Sequence, residues 1–307
     1  MSSSNAARML KIIRFHIVAG GLLAFLLGGL LAFANGGNFN PIIFALVYTA
    51  GLLGDLSSHY SNDYFDVDVD KHMNQKKFFA GHAILVGYPN LRESSKSVSV
   101  SLLVCANVLA VALFLFLGAP IEIFIVILAA SLAGWFYSAP PLRLTSRGLG
   151  EATIACVTGF AIPGLGYLSV RGQFDPLFVS FAFPFVMYGL VLSLSLEAPD
   201  EETDRKGGKK NLIVRKGARN VFLLILALTT ASTLTFLAYS WLLVPTVLDV
   251  RALMLFSIVP LTAALISFIG VIKKKSVSRF SAVNVVSLFV FNMLTLAYLL
   301  AVVSTVQ

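Results

Sequence analysis

Nine stretches of about twenty uninterrupted apolar residues decide what this chain can fold into. They lie near residues 12–34, 41–61, 97–117, 120–138, 149–170, 177–197, 220–243, 251–272 and 282–304. A hydrocarbon core about 30 Å thick is crossed by a helix of roughly 20 apolar residues. The other spanning architecture, a β-barrel, needs shorter strands of alternating apolar and polar residues. These runs are continuous and long, so they read as helices. The chain is 57% hydrophobic and 12% charged, against about 45–50% and about 25% for a soluble domain. An all-α membrane protein of nine helices follows, as a single domain over residues 1–307. The Gly118-Ala119-Pro120 joint between the third and fourth runs is its shortest connection.

Basic residues set the orientation. Nine spans place the N-terminus and every even-numbered loop on one side. That side holds 21 of the 23 lysines and arginines, and Arg171 and Arg251 stand alone on the other. The N-terminus is therefore expected in the cytoplasm and the C-terminus outside, in a multi-pass protein of the cell membrane. The same asymmetry accounts for the net charge of +8 without a nucleic-acid partner. The first run ends Ala32-Phe33-Ala34, which imitates a cleavage site, but it is longer than a signal sequence's apolar region and reads as a retained helix. Cys105 and Cys156 fall inside predicted spans and read as packed thiols.

Polar composition concentrates in two cytoplasmic loops, about 62–96 and about 198–219, each acidic at its start. The first begins Asn62-Asp63-Tyr64-Phe65-Asp66-Val67-Asp68-Val69-Asp70. If the second helix runs on through it, Asn62, Asp66 and Asp70 share one face at i, i+4 and i+8. Stacked carboxylates repel unless a cation lies among them, and hard oxygen ligands that leave places for water and phosphate suit Mg²⁺. The second loop reads Glu197-Ala198-Pro199-Asp200-Glu201-Glu202-Thr203-Asp204, with Asp200 and Asp204 again at i, i+4. Two facing carboxylate sets, each with a metal, suit a bridging diphosphate whose departure the metals assist as Lewis acids. A calcium loop starting at Asp66 fails, because Lys71 and Lys77 stand where Gly and Glu are required. A solvated acidic loop is the plainer reading of either cluster alone. The pair, 138 residues apart and equivalent in membrane depth, weighs against it.

Asn62-Asp-Tyr-Phe-Asp66 with Asp70, followed by Asp200-x-x-x-Asp204-Arg-x-x-Gly208-Lys209-x-x-Leu212, resembles the UbiA superfamily of intramembrane prenyltransferases. The resemblance spans nearly the whole chain. Trp135-Phe-Tyr137-Ser138-Ala-Pro140-Pro141-Leu-Arg143 leading to Gly148-Leu149-Gly150-Glu151, and Phe79-Ala-Gly81-His82 running to Gly87, look like menaquinone-type members. Arg14-Phe15-His16 fits the family's start. Lys76-Lys77-Phe78-Phe79 departs from the Arg-Pro pair that many members carry.

The resemblance implies a helical bundle around a central cavity, capped by the two cytoplasmic loops and open laterally to lipid. It implies Mg²⁺-dependent transfer of a prenyl group from an allylic isoprenyl diphosphate, such as geranyl or geranylgeranyl diphosphate, to a lipophilic acceptor. A quinone precursor of the naphthoate type is the preferred acceptor, and a glyceryl phosphate the alternative. Asn62, Asp63, Asp66, Asp70, Asp200 and Asp204 are the expected metal ligands. Arg14, Lys77, Arg143 and Lys209 are candidates for the diphosphate, because charge-assisted bonds to phosphate favour Arg and Lys. Tyr137 is placed to face an allylic cation, or else sits in an interfacial belt. His16 and Ser138 are cavity candidates, while His59, His72 and His82 read as caps or loop residues. Asp55, an acid inside a span, is expected to face protein or water. Glu122 needs no active-site role. A cation-coupled transporter is the rival class, but it wants its acids near the bilayer midplane. A catalytically reduced diphosphate-binding member is a third reading, opposed by the complete aspartate set.

Overall fold

The computed structural model describes residues 3–72, 83–242 and 249–306, and among these no strand occurs. Nine helices in the described residues are long and apolar enough to cross a membrane. They are α1 (Phe15–Ala34), α2 (Pro41–Phe65), α3 (Arg92–Leu117), α4 (Ile121–Ser138), α5 (Gly150–Arg171), α6 (Pro176–Glu197), α7 (Leu212–Leu242), α8 (Val250–Ile272) and α9 (Val277–Val306). Each corresponds to one of the nine apolar runs.

Start and stop chemistry is local. Asn40 caps α2 by accepting from the Ile42 and Ile43 N–H groups at 3.0 and 3.2 Å. Asp175 and Asp249 cap α6 and α8 in the same way, and Pro41 and Pro176 occupy first-turn positions whose N–H has no helical partner anyway. Gly118 (φ +65°) closes α3 in the left-handed conformation that glycine adopts without strain.

Several helices outrun their apolar windows. α2 continues to Phe65 and α3 begins at Arg92, because backbone hydrogen bonding persists where the side chains turn polar. α7 begins at Leu212 but breaks at Gly217, whose φ of +76° and ψ of +160° are non-helical. The continuous span therefore starts after that glycine.

α2 packs most extensively on α3 and then α4, α1 on α5, and α6 through α9 run side by side until α9 returns to α1. Apolar burial drives little association in lipid, so close contact rests on small residues and interhelical hydrogen bonds. A Cβ on Gly28 would strike the Pro163 backbone, and one on Gly166 the Phe25 carbonyl, so glycine permits the α1–α5 crossing. Between α2 and α3, the Ser57 hydroxyl donates to the Ser99 carbonyl at 2.8 Å and the Ser99 hydroxyl to the Ser57 carbonyl at 2.7 Å.

The two ends of the bundle differ. At one end Asp175 accepts from the Tyr167 hydroxyl at 2.6 Å and from the Asn35 amide at 3.1 Å, and lies 3.5 Å from Arg171. Aromatic rings fill the bundle just inside this knot, with Phe174 stacked on Phe178 and Phe25 against Phe44 and Tyr48. The other end carries both acidic clusters and the short helices Val67–Asp70, Ile84–Gly87 and Glu201–Lys206. There Met9 and Ile12 pack on Tyr60, Val67, Leu85 and Leu91. The expected cap of two loops includes residues 73–82, which lie outside the described residues.

Candidate active site

The first acidic cluster is an extension of α2. Asp66 N–H donates to the Asn62 carbonyl and Asp70 N–H to the Asp66 carbonyl, both at 2.9 Å, although Asp66 itself leaves helical geometry (φ −94°, ψ 5°). The i, i+4, i+8 register survives this joint, and Asn62, Asp66 and Asp70 all line one cavity. Asp68, off that face, is exposed and paired with Lys71 at 2.7 Å, whose hydrogen bond and charge lower its pKa. Burial pushes the Asp70 carboxyl up to about 7, with the Asp63 and Asp66 charges adding to the effect. Asp63 is buried and its carboxylate lies 3.1 Å from the Arg14 guanidinium.

The second cluster follows α6. Pro199 sits in a single 3₁₀ turn, Ala198–Asp200, and Asp200 then opens the helix Glu201–Lys206. Asp200 and Asp204 line the same cavity. Glu201 and Glu202 pair instead with Arg205 and Lys206 at 2.6 and 2.7 Å on the exposed side.

Glycines bring the two clusters together. A side chain on Gly207 would crowd Val69, and Gly208 (φ +75°) turns the chain so that Lys209 N–H reaches back to the Asp204 carbonyl at 2.9 Å. The Lys209 ammonium then lies 3.0 Å from Asp66 Oδ2 and 3.4 Å from Asp204 Oδ1, joining one cluster to the other. Burial works against that charge, but Asp66 and Asp204 outweigh it and raise the lysine pKa above its usual value. Asp204 is also held through Oδ2 by the Asn211 amide at 2.7 Å, while Asn211 Oδ1 accepts from Val214 N–H. Buried Glu151 accepts from Leu212 N–H and so fixes the start of α7.

Among the described residues no three carboxylate, imidazole or thiol groups converge tightly enough to cage an ion in this conformation. The donor chemistry nonetheless fits a hard divalent cation. The oxygens come from two opposed segments, and a buried ammonium already stands between them as a monovalent stand-in.

Behind the clusters the cavity, about 370 Å³, descends between the helices. Along α2 its wall runs from Asp66 to Gly51, and along α6 from Asp200 to Phe185. At 1.5 Å per residue each wall is about 22 Å long, over half of a hydrocarbon core. The polar mouth gives way to Ile127, Leu165, Leu192 and Leu288. The turn Val157–Ala161 in α5 is a π-bulge that presents Val157, Thr158 and Ala161 to this space, the kind of helix irregularity often found at functional sites.

The remaining expected residues divide. Arg14, His16 and Tyr137 line the cavity. The Tyr137 hydroxyl donates to Glu197 Oε1 at 3.4 Å, and Glu197 Oε2 is buried with no hydrogen-bond partner among the described residues. Ser138 is buried next to Tyr137 but is not part of the lining, and Arg143 is exposed away from it. Lys77 lies outside the described residues. Asn211, Glu197 and Asn292 are additions. Asn211 has no signal beyond its place between Lys209 and Leu212, and Asn292 is one of two amides, with Asn284, in an apolar span.

Solved structures share this fold. A UbiA homologue from Archaeoglobus fulgidus bound to DMAPP and Mg²⁺ is 20% identical, with a TM-score of 0.63 over 96% of this chain and 99% of that one. A UbiA homologue from Aeropyrum pernix K1 is 10% identical, with a TM-score of 0.67 over 89% and 96%. A structure concerned with digeranylgeranylglyceryl phosphate synthase is 14% identical, with a TM-score of 0.64 over 97% and 99%. No curated protein matches the sequence. The family profile described as the UbiA prenyltransferase family matches residues 22–293. With two aspartate clusters at the mouth of an apolar cavity and a family match over most of its length, this multi-pass membrane chain belongs to the UbiA prenyltransferase family.

Proposed function

We propose that the protein transfers a prenyl group from an allylic isoprenyl diphosphate to a lipophilic acceptor, releasing diphosphate, at the cytoplasmic face of the cell membrane. The observation that carries this reading is the pairing of two acidic clusters through Lys209 at the mouth of a deep apolar cavity. Asn62, Asp66 and Asp70 would hold one Mg²⁺, and Asp200 and Asp204 a second. When bound, Mg²⁺ neutralises charge on the departing diphosphate.

The chain's own residues do the rest. Lys209, between the two clusters, is placed to bind a diphosphate oxygen. Asp63 fixes Arg14 at the rim, where the guanidinium adds positive charge. Tyr137, which lines the cavity and whose hydroxyl donates to Glu197, would offer its aromatic ring to an allylic cation. Small and apolar walls receive the isoprenoid tail and exclude the water that would quench an allylic cation. The acceptor class is a quinone precursor, with the naphthoate type first. A glyceryl phosphate is the second reading, supported by the likeness to the digeranylgeranylglyceryl phosphate synthase structure.

The test is binding of geranyl S-thiolodiphosphate, a donor analogue resistant to ionisation, to the purified protein with and without Mg²⁺. Tight binding that needs Mg²⁺, and that Asp66→Asn and Asp204→Asn each weaken at least tenfold, is the expected result. Binding indifferent to Mg²⁺ and to both aspartates refutes the reading.

A further inference from the structure

Arg14 stands at the mouth of the cavity with most of its hydrogen-bonding capacity unspent. Its Nη2 donates to Asp63 Oδ1 at 3.1 Å, the one ion pair that Arg14 makes among the described residues. Nη1 and Nε make no hydrogen bond among those residues, and Nε is shut away from water. A guanidinium carries five N–H donors in a fixed fork, and unspent buried donors are costly until a ligand supplies acceptors.

The backbone holds this group in place. The Arg14 N–H donates to His59 Nδ1 at 3.4 Å, and the Arg14 carbonyl accepts from the Ile17 and Val18 N–H groups at 2.8 and 3.2 Å. α1 begins just after Arg14 with no side-chain cap. The first N–H groups of that helix therefore add partial positive charge at the same spot. Asp63 draws the guanidinium toward a face of α2 turned about 100° from Asn62. Lys209, not Arg14, joins the two acidic clusters, so the donors of Arg14 are left for the other substrate.

The surroundings leave room for that substrate. Gly20 on α1 and Gly54 and Ser58 on α2 line the cavity below Arg14 and offer little bulk. Asp55 also lines it there, 3.7 Å from His59 Nε2, and makes no ion pair with Arg14. An anionic group is thus better placed at Arg14 than deeper, beside that acid.

We infer that Arg14 is an acceptor-binding residue, whose free donors take an anionic group of the acceptor, a carboxylate or a phosphate. The inference rests on the prenyl-transfer reading and deepens it by naming the chemistry of the acceptor's polar end. A carboxylate belongs to an acceptor of the naphthoate type and a phosphate to a glyceryl phosphate, and each presents oxygens that a planar fork can grip in pairs. Lysine, a point charge, offers no such match.

Two pairs of probes test the inference. One is 1,4-dihydroxy-2-naphthoate with 1,4-dihydroxynaphthalene, and the other is a prenylglyceryl phosphate with the same prenylglycerol lacking phosphate. Full-length protein in lipid nanodiscs is loaded with Mg²⁺ and geranyl S-thiolodiphosphate, and the affinity of each probe is measured. In one of the pairs the wild type is expected to bind the anionic member at least tenfold more tightly, as a hydrogen bond between charged groups would give. The pair that shows the preference identifies the source of the anion. Arg14→Lys keeps the charge without the fork and should cut the preference at least threefold. Arg14→Gln combined with Asp63→Asn strands no buried carboxylate and should bring the two members within threefold. If that paired variant does not fold, Arg14→Lys alone decides. No preference in either pair for the wild type, or a preference that these substitutions leave intact, overturns the inference. Failure of the wild type to bind the donor analogue would instead sink the prenyl-transfer reading, so the two failures are told apart.

Discussion

Replacing Lys209 by Met removes the only cation seen joining the two acidic clusters among the described residues while keeping the length of the side chain. The ammonium lies 3.0 Å from Asp66 and 3.4 Å from Asp204, and all three side chains are no more than 12% exposed. The substitution strands two buried carboxylates, and breaking a buried ion pair on one side costs about 3–5 kcal/mol. Partial protonation of the carboxylates and entry of water limit the loss, so the lower end of that range is expected. At roughly 2–4 °C per kcal/mol for a chain of this size, the metal-free variant should melt on the order of 5–10 °C below the wild type. Added Mg²⁺ should reverse the ranking of responses. With no ammonium to displace, the variant gains more stability from Mg²⁺ than the wild type does, by about the amount it lost. The assay is thermal unfolding of detergent-purified protein across a Mg²⁺ titration, with no diphosphate present. An unchanged melting temperature without metal, or an equal Mg²⁺ response in both proteins, would refute the argument that Lys209 stands in for the metal.

Three further outcomes follow from geometry. Protons and Mg²⁺ compete for Asp70, whose carboxyl is held up to about 7 by burial and by Asp63 and Asp66. Mg²⁺ affinity should thus be level above pH 7 and fall by up to about tenfold per pH unit below it, and isothermal titration that shows a flat profile from pH 5.5 to 8 would count against this. Asn211→Leu removes a hydrogen bond to a charged group worth about 1.5–3 kcal/mol, so Mg²⁺-dependent donor-analogue binding should weaken about tenfold or more. Wild-type affinity in that variant would mean that Asp204 needs no holder. Gly166→Leu forces a side chain into the Phe25 carbonyl at the α1–α5 crossing. It should abolish a monodisperse peak on size-exclusion chromatography, whereas Gly36→Ala, where nothing crowds the added carbon, should retain that peak at a cost of about 1 kcal/mol for its positive φ.

Much of this architecture is written in local chemistry. Nine apolar runs become nine helices because a bilayer leaves a buried backbone few other ways to satisfy its hydrogen bonds. The i, i+4, i+8 spacing from Asn62 to Asp70 survives because two backbone hydrogen bonds carry the helical register past the joint at Asp66. The limits of such reading show in Asp63 and Asn211. Asp63 adjoins Asn62 in sequence, yet its i+1 position turns it about 100° around the helix, toward Arg14 from another element. Nothing near Asp63 in sequence announces that partner 49 residues away. Asn211 gains its place only when Gly207 and Gly208 fold the second loop back on itself. Helix ends were also hidden, since hydropathy marks where lipid contact stops and hydrogen bonding does not stop with it. Gly217 is an exception that composition alone does not reveal, because glycine is tolerated inside many membrane helices.

The aromatic packing and the Asn35–Tyr167–Asp175 knot have an electrical consequence. The cavity opens at the acidic end, and its walls extend about 22 Å, while rings and a closed set of hydrogen bonds occupy the far end. Among the described residues, an ion drawn to the aspartates would have to pass those rings and that knot to reach the far side, and moving one elementary charge against 100 mV is worth about 2.3 kcal/mol. A chamber that can host carbocations and divalent metal is in this way kept insulating, so a membrane crowded with the protein can still hold its voltage.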